Sequence, residues 1–304
     1  MSIPVAYLGI ILIWSTTPLA IQWSTQGASF ALAVFVRMLI GAVVAALIVI
    51  VWRIPFPLHD RARRAYLVGG LGLFAAMALT YWAARYVHSG LISVLFGLSP
   101  LAAGLLAALF LGERSLTRLK LLGMLLGACG LATIFIHGDS LAHENALAGL
   151  LALVMAVFIY SGCLVWLKQI GDDSPPLATT VGTLTVSLPF FGLIWWFADG
   201  QLPAMIPSRA GAAIVYLGVF GSVIGFALYY YVIKHLETAK VALITLITPV
   251  IALLLGHWLN GESIGLRLWL GTGLILLGLS VHQWESLAGL IRPWRQGRSA
   301  EMGG

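Results

Sequence analysis

The chain of 304 residues is 60% hydrophobic, only 9% charged, and carries a formal net charge of +6. A soluble domain has about 25% charged residues, so this composition, with a mean hydropathy of +0.98, excludes soluble, disordered and nucleic-acid-binding classes. What remains is an all-α integral membrane protein, in which the basic excess is a topology signal.

A hydrocarbon core of about 30 Å needs roughly 20 apolar residues per helix, and ten such runs follow one another along the chain. In the first half they are Val5–Trp23, Ala31–Trp52, Tyr66–Val87, Gly90–Leu111 and Arg118–Ile136. In the second they are Ala146–Lys168, Leu177–Phe197, Gly211–Ile233, Ala239–Leu259 and Ile264–Trp284. The first run lacks a preceding basic segment and is long enough to stay as an anchor. Cys129 and Cys163 lie inside apolar runs, so neither a disulfide nor a zinc site is expected, and no cofactor. With the N-terminus inside, thirteen Lys and Arg fall in inner loops and tail, against Arg85, Arg209 and Arg267 outside. Both termini are therefore expected in the cytoplasm.

A shift of 149 residues lays Tyr66–Leu121 over Val215–Leu270 without a gap, with 14 identities in 56 positions. Gly69 falls on Gly218, Gly72 on Gly221, Tyr81 on Tyr230, Pro100 on Pro249, and Gly112-Glu113 on Gly261-Glu262. Each repeat holds five spans, an odd number, so the second must cross the membrane in the opposite sense. The expected organisation is a first repeat over 1–137, a linker at 138–145, a second repeat over 146–284 and a basic cytoplasmic tail at 285–304. Inverted repeats of this kind belong to secondary transporters with a site between the halves and alternating access.

Several motifs carry a resemblance. Trp14-Ser15-Thr16 in the first span, Arg37 in the second, Ser99-Pro100 and Leu111–Arg114 in the first half, and Gly218–Glu237, Thr248-Pro249 and Gly261-Glu262 in the second resemble the drug/metabolite transporter superfamily. The chain is most similar to its ten-helix EamA-type exporters, including the amino-acid exporters of the YddG kind. The resemblance implies a multi-pass carrier of a bacterial inner membrane that moves small metabolites, often amino acids, outward.

All eleven acidic residues fall in loops or tails, which removes the usual intramembrane carboxylate for proton coupling. No Gly-x-x-x-x-Gly-Lys motif is present to use ATP. Uniport or exchange is the expected mode. Arg37, well inside the second span, has two readings: it snorkels to the outer interface or caps helix ends, or it is the counter-charge for a substrate carboxylate or a gate element. Trp14, Tyr81, Tyr160 and Tyr230 occupy repeat-related positions, and their faces and polar tips suit a central cavity. Tyr229 and Tyr231 are read as packing or lipid-facing.

Pro100 and Pro249 sit mid-span, where a proline frees a carbonyl and makes either a kink or a gating hinge. Ser99, Thr245 and Phe96 are candidate substrate contacts beside them. Gly123, Gly127, Gly130, Gly271, Gly273 and Gly278 are read as helix-packing faces. Glu113 and Glu262 are read as structural, with Glu113 capping the helix after it, and His257 and His282 as satisfied core or interface histidines. The expected partners are a small-molecule substrate and the bilayer, with no nucleic acid, and a monomer or homodimer. The same fold also serves nucleotide-sugar, lipid-linked-sugar and cationic-drug carriers. A membrane enzyme acting on lipids would need clustered Asp, Glu, His or Lys at one face, which the sequence lacks.

Overall fold

The computed structural model describes residues 2–111, 117–135, 145–198, 200–284 and 286–288, without the side chains of Tyr230, Ile233, Lys234, Thr238 and Ala239. Glu113, the linker before Asn145, most of the basic tail and the Tyr230 side chain thus lie outside the described residues.

The described residues form helices and connecting turns. The first half is α1 (Ile3–Ser24), α2 (Phe30–Val51), α3 (Asp60–Ala83), α4 (Ser89–Phe96), α5 (Ser99–Phe110) and α6 (Arg118–Phe135). The second is α7 (Ala146–Ile170), α8 (Pro176–Ala198), α9 (Ser208–Tyr216), a π-helical segment (Leu217–Ile224), α10 (Gly225–His235), α11 (Thr238–Asn260) and α12 (Leu266–His282). Among the described residues nine helical segments are long and apolar enough to cross a membrane, and α12 is a shorter apolar one. Ends are set locally. Ser29 Oγ accepts from the Leu32 N–H to open α2, while Gly171 and Gly261 take φ of +60° and +65° to close α7 and α11, a conformation that glycine adopts without strain.

The two halves interlock. Helix α6 packs chiefly on α12, α3 on α7 and α8, α2 on α8 and the π segment, α4 on α11, α5 on α7, and α1 on α9, α10 and α11. Each of these pairings has its repeat-related mate, the signature of a pseudo-two-fold relation. The halves also run in opposite senses. Gly123 lies against Gly278 while Gly130 lies against Gly271, so α6 and α12 are antiparallel. The same follows for α2 and α8 (Gly41 at Leu184, Gly192 at Phe35) and for α4 and α11 (Gly90 at Leu253, Gly97 at Pro249). Repeat-related helices facing each other head to tail are what an inverted repeat requires. The outer faces are apolar, with Leu47, Leu125 and Trp196 more than half exposed, as a lipid-facing surface must be.

The fourth span is not one helix. It stops after Phe96, and Pro100 lies in the first turn of α5, where its missing N–H costs nothing. The expected mid-span kink at Pro100 is therefore a break between two helices, whereas Pro249 stays inside an unbroken α11. The second departure lies in the eighth span, where residues 217–224 are π-helical although the repeat-related stretch of α3 is a regular α-helix. Each half thus contains one irregular span, and π segments are frequent at functional sites.

Candidate functional site

Arg37 sits on the buried face of α2 and is 5% exposed. Its Nε donates to Ser222 Oγ at 3.3 Å, and Nη1 donates to Tyr81 Oη at 3.2 Å. The guanidinium carbon lies 5.8 Å from the centre of the Tyr81 ring. The snorkelling reading is therefore wrong: the side chain turns into the bundle because two hydroxyls from α3 and the π segment meet it there. Among the described residues no carboxylate pairs with it. An unneutralised buried cation costs several kcal/mol, a cost that an anionic ligand group would relieve.

The π segment explains how Ser222 reaches this point. Ser222 Oγ donates to the carbonyl of Leu217, five residues back, at 3.0 Å, which matches the wide turn. Gly218 allows α2 to approach: a Cβ there would lie 2.7 Å from Ile40 Cγ2 and 3.1 Å from the Arg37 carbonyl. Gly221 and Gly225 continue this bare face. A Cβ on Gly221 would stand 3.4 Å from Arg37 Nη2 and 3.8 Å from Thr17 Oγ1, and one on Gly225 3.4 Å from Trp14 Nε1. Ile40, Arg37, Thr17 and Trp14 thus lie in order along one glycine-lined floor. Trp14 also packs on Tyr229, ring centres 4.8 Å apart. Tyr229 is half-buried against α1, which bears out the packing alternative of its reading and not the lipid-facing one.

A second cluster forms where α4 gives way to α5. The Phe96 and Tyr160 rings meet edge to face at 6.0 Å. Ser99 Oγ donates to the Phe96 carbonyl at 2.7 Å, and Ser161 Oγ from α7 donates to the Ser99 carbonyl at 3.1 Å. The Phe96 carbonyl, which Pro100 leaves without a backbone donor, is thus met by the Ser99 hydroxyl, as membrane interiors demand. Thr245 is half-buried on α11, with its hydroxyl donating to the Ala242 carbonyl at 2.7 Å.

The structure therefore joins Arg37 with Tyr81, and Phe96 with Ser99 and Tyr160, and places Trp14 on the same glycine floor as Arg37. Sequence reasoning passed over Ser222 and Ser161. The Gly218–Gly225 glycine run was a usable signal for Ser222, and the match of Ile13-Trp14-Ser15 to Ile159-Tyr160-Ser161 was one for Ser161. Glu262 lies in the loop after α11, as expected, yet it is only 6% exposed and its carboxylate accepts from the Ser89 N–H of α4. Of the two histidines, His257 Nδ1–H donates to the Glu262 carbonyl at 2.8 Å, as expected. Both nitrogens of His282 are buried with no hydrogen-bond partner among the described residues, contrary to the satisfied core histidine.

Trp14→Ala removes the aromatic wall at one end of the glycine floor without touching a charge. The melting midpoint of the solubilised protein is expected to fall, since an aromatic contact and its buried area contribute about 2–3 kcal/mol. An unchanged midpoint would mean that Trp14 is not held by its packing on Tyr229.

The chain matches the EamA-like transporter family twice, over residues 2–136 and 147–282. It is 29% identical over 204 residues to a probable terminal-alkyne amino-acid exporter of Streptantibioticus cattleyicolor, covering 64% of each chain. It is 24% identical over 276 residues to the uncharacterized inner membrane transporter YedA of Escherichia coli, covering 90% of this chain and 88% of that one. A crystal structure aligns over 94% of this chain and 99% of its own with a TM-score of 0.64 at 21% identity, a likeness of fold.

Proposed function

The chain belongs to the EamA-like transporter family, and on that premise we propose that it exports small metabolites, amino acids first, across a bacterial inner membrane by alternating access. The protein is a transporter and not an enzyme. The observation that carries the finer reading is Arg37, a buried cation held by Tyr81 and Ser222 with no carboxylate beside it among the described residues. A substrate α-carboxylate supplies the missing charge, and charge-assisted hydrogen bonds to guanidinium are among the stronger ones available. The Trp14–Tyr229 pair then offers an aromatic surface to the side chain or to the amine. The amino-acid exporter among the relatives supports this choice of cargo. The basic loops support cytoplasmic termini, and the inner-membrane relative supports the location. Uniport or exchange follows from the absence of an acid in the apolar runs of the sequence and of a nucleotide motif.

The test is uptake by proteoliposomes offered amino acids, their decarboxylated amines, cationic drugs and nucleotide sugars, with and without a pH gradient. Amino acids are expected to enter without the gradient and to exchange with internal amino acid. Uptake of amines or drugs alone, or of nucleotide sugars, rejects the carboxylate assignment, and strict dependence on the gradient rejects uncoupled transport.

A further inference from the structure

A buried carboxylate ties together one end of the bundle. Glu262 follows α11, and the left-handed turn at Gly261, φ +65°, directs the chain back toward the protein. Its Oε1 accepts from the Ser89 N–H at 3.1 Å and from Asn260 Nδ2 at 3.0 Å. Its Oε2 accepts from the Gly90 N–H at 3.4 Å. Ser89 and Gly90 open α4, so the carboxylate of one half caps the positive end of a helix in the other half, where negative charge is favoured.

Asn260 spreads the connection to α1. Its Nδ2 also donates to Gln22 Oε1 at 2.9 Å, and its Oδ1 accepts from Trp23 Nε1 at 3.0 Å. Arg209, at the start of α9, lies 3.8 Å from the centre of a Trp23 ring and donates to the Leu259 carbonyl at 3.3 Å. Below this network α4 and α11 are in close contact: a Cβ on Gly90 would lie 2.7 Å from Leu253 Cα, and one on Gly256 would lie 2.8 Å from Ser89 Oγ.

Toward the opposite end the same two spans part. After the break at Gly97-Leu98 the first continues as α5 and packs on α7. The early turns of α11 pack instead on α1, with Tyr7 donating to the Lys240 carbonyl at 2.9 Å. Ser99 and Ala103 on one side and Thr245 and Leu246 on the other are only partly buried there. The crossing of α4 and α11 is thus shut at the Glu262 end and spread at the other.

We propose that Glu262 is the latch of the outer gate, holding that end shut while its carboxylate sits on the first N–H groups of α4. The inference rests on the alternating-access reading above and on the orientation that puts the end of α1 outside. Glu262 is a positioning residue: it acts through α4 and does not touch substrate. Opening that end requires the carboxylate to leave Ser89 and Gly90, and an uncharged side chain at 262 makes that departure easier.

The experiment is thiol labelling in intact cells. Ser93, 8% exposed on α4 one turn below Ser89, becomes the single cysteine of a Cys129→Ala, Cys163→Ala background. A membrane-impermeant maleimide applied outside is expected to react slowly with Ser93→Cys when Glu262 is present. The rate rises at least tenfold with Glu262→Ala, and by a smaller factor with Glu262→Gln, which keeps one acceptor but no charge. If the alanine variant does not reach the membrane, the glutamine variant decides, with at least a threefold rise expected. A second reporter, Ser187→Cys, fully buried on α8, is expected to stay unreactive throughout. An unchanged rate at Ser93→Cys overturns the latch, as does an equal gain at Ser187→Cys or a gain only from the cytoplasmic side in inside-out vesicles. Labelling needs no substrate, so a wrong choice of cargo fails the uptake screen and leaves this result standing.

Discussion

Replacing Arg37 with alanine is expected to abolish the preference of the transporter for an amino acid over the corresponding amine. Two hydrogen bonds from a guanidinium to a carboxylate contribute about 1.5–3 kcal/mol each, and each 1.4 kcal/mol is a factor of ten. A loss of roughly 100- to 10,000-fold in apparent affinity follows for carboxylate-bearing substrates, with little change for the decarboxylated amine. Arg37→Lys is expected to recover only part of the loss, because an ammonium lacks the planar fork that meets Tyr81, Ser222 and a carboxylate together. Competition uptake with matched acid and amine pairs is the measurement. If Arg37→Ala weakens acid and amine equally, the residue is a structural strut between α2, α3 and the π segment, and not the anion site. Tyr81→Phe separates these roles further. It leaves one guanidinium N–H without its acceptor and is expected to cost about 1–3 kcal/mol of stability, with a smaller effect on selectivity than Arg37→Ala.

The largest effect on stability is expected at Gly278 in α12. A Cβ there would lie 2.5 Å from the Gly123 carbonyl and 2.7 Å from the Gly127 nitrogen, and backbone cannot turn aside as a side chain does. Gly278→Leu must push α12 off α6, forfeiting the contact that small residues make possible between membrane helices. Overpacking of this kind costs about 1–3 kcal/mol and sometimes more. Thermal melting of the detergent-solubilised protein is expected to show a markedly lower midpoint, or no folded protein. Gly273→Leu is the internal control. Nothing lies within 4 Å of a Cβ at Gly273, so its midpoint is expected to stay near that of the parent. A parent-like melt for Gly278→Leu would mean that α6 and α12 are not held by their glycines.

The glycine pattern shows how far sequence periodicity reaches. Gly123, Gly130, Gly271 and Gly278 were read as packing residues, and all four lie at the α6–α12 contact. A Cβ on Gly127 would meet Leu98 and Leu101, although its backbone nitrogen borders Gly278, and one on Gly273 would meet nothing within 4 Å. A small residue on an apolar helix signals that something can come close, and the helix that does so is a property of the bundle. The prolines give the same lesson. Pro100 and Pro249 align perfectly in the repeat, yet one begins a helix and the other sits within one, because the hydrogen bonds lost at a proline can be met in more than one way.

Composition and run length sufficed for the membrane class, the ten apolar spans and the repeat, since each depends on residues near one another or on a comparison of the two halves as text. The odd number of spans per half already required the halves to oppose one another. Only the tertiary structure decided that Arg37 turns inward, that Ser222 meets it across 185 residues of sequence, and that Glu262 is buried on a helix 173 residues away. Burial of a charge depends on what the opposite half brings to it, and inverted halves bring together groups whose separation in the chain is close to half its length. The 9% of residues that are charged marked the protein as membrane-embedded. Two of them, placed by the crossing of the halves, carry the chemistry proposed for its transport.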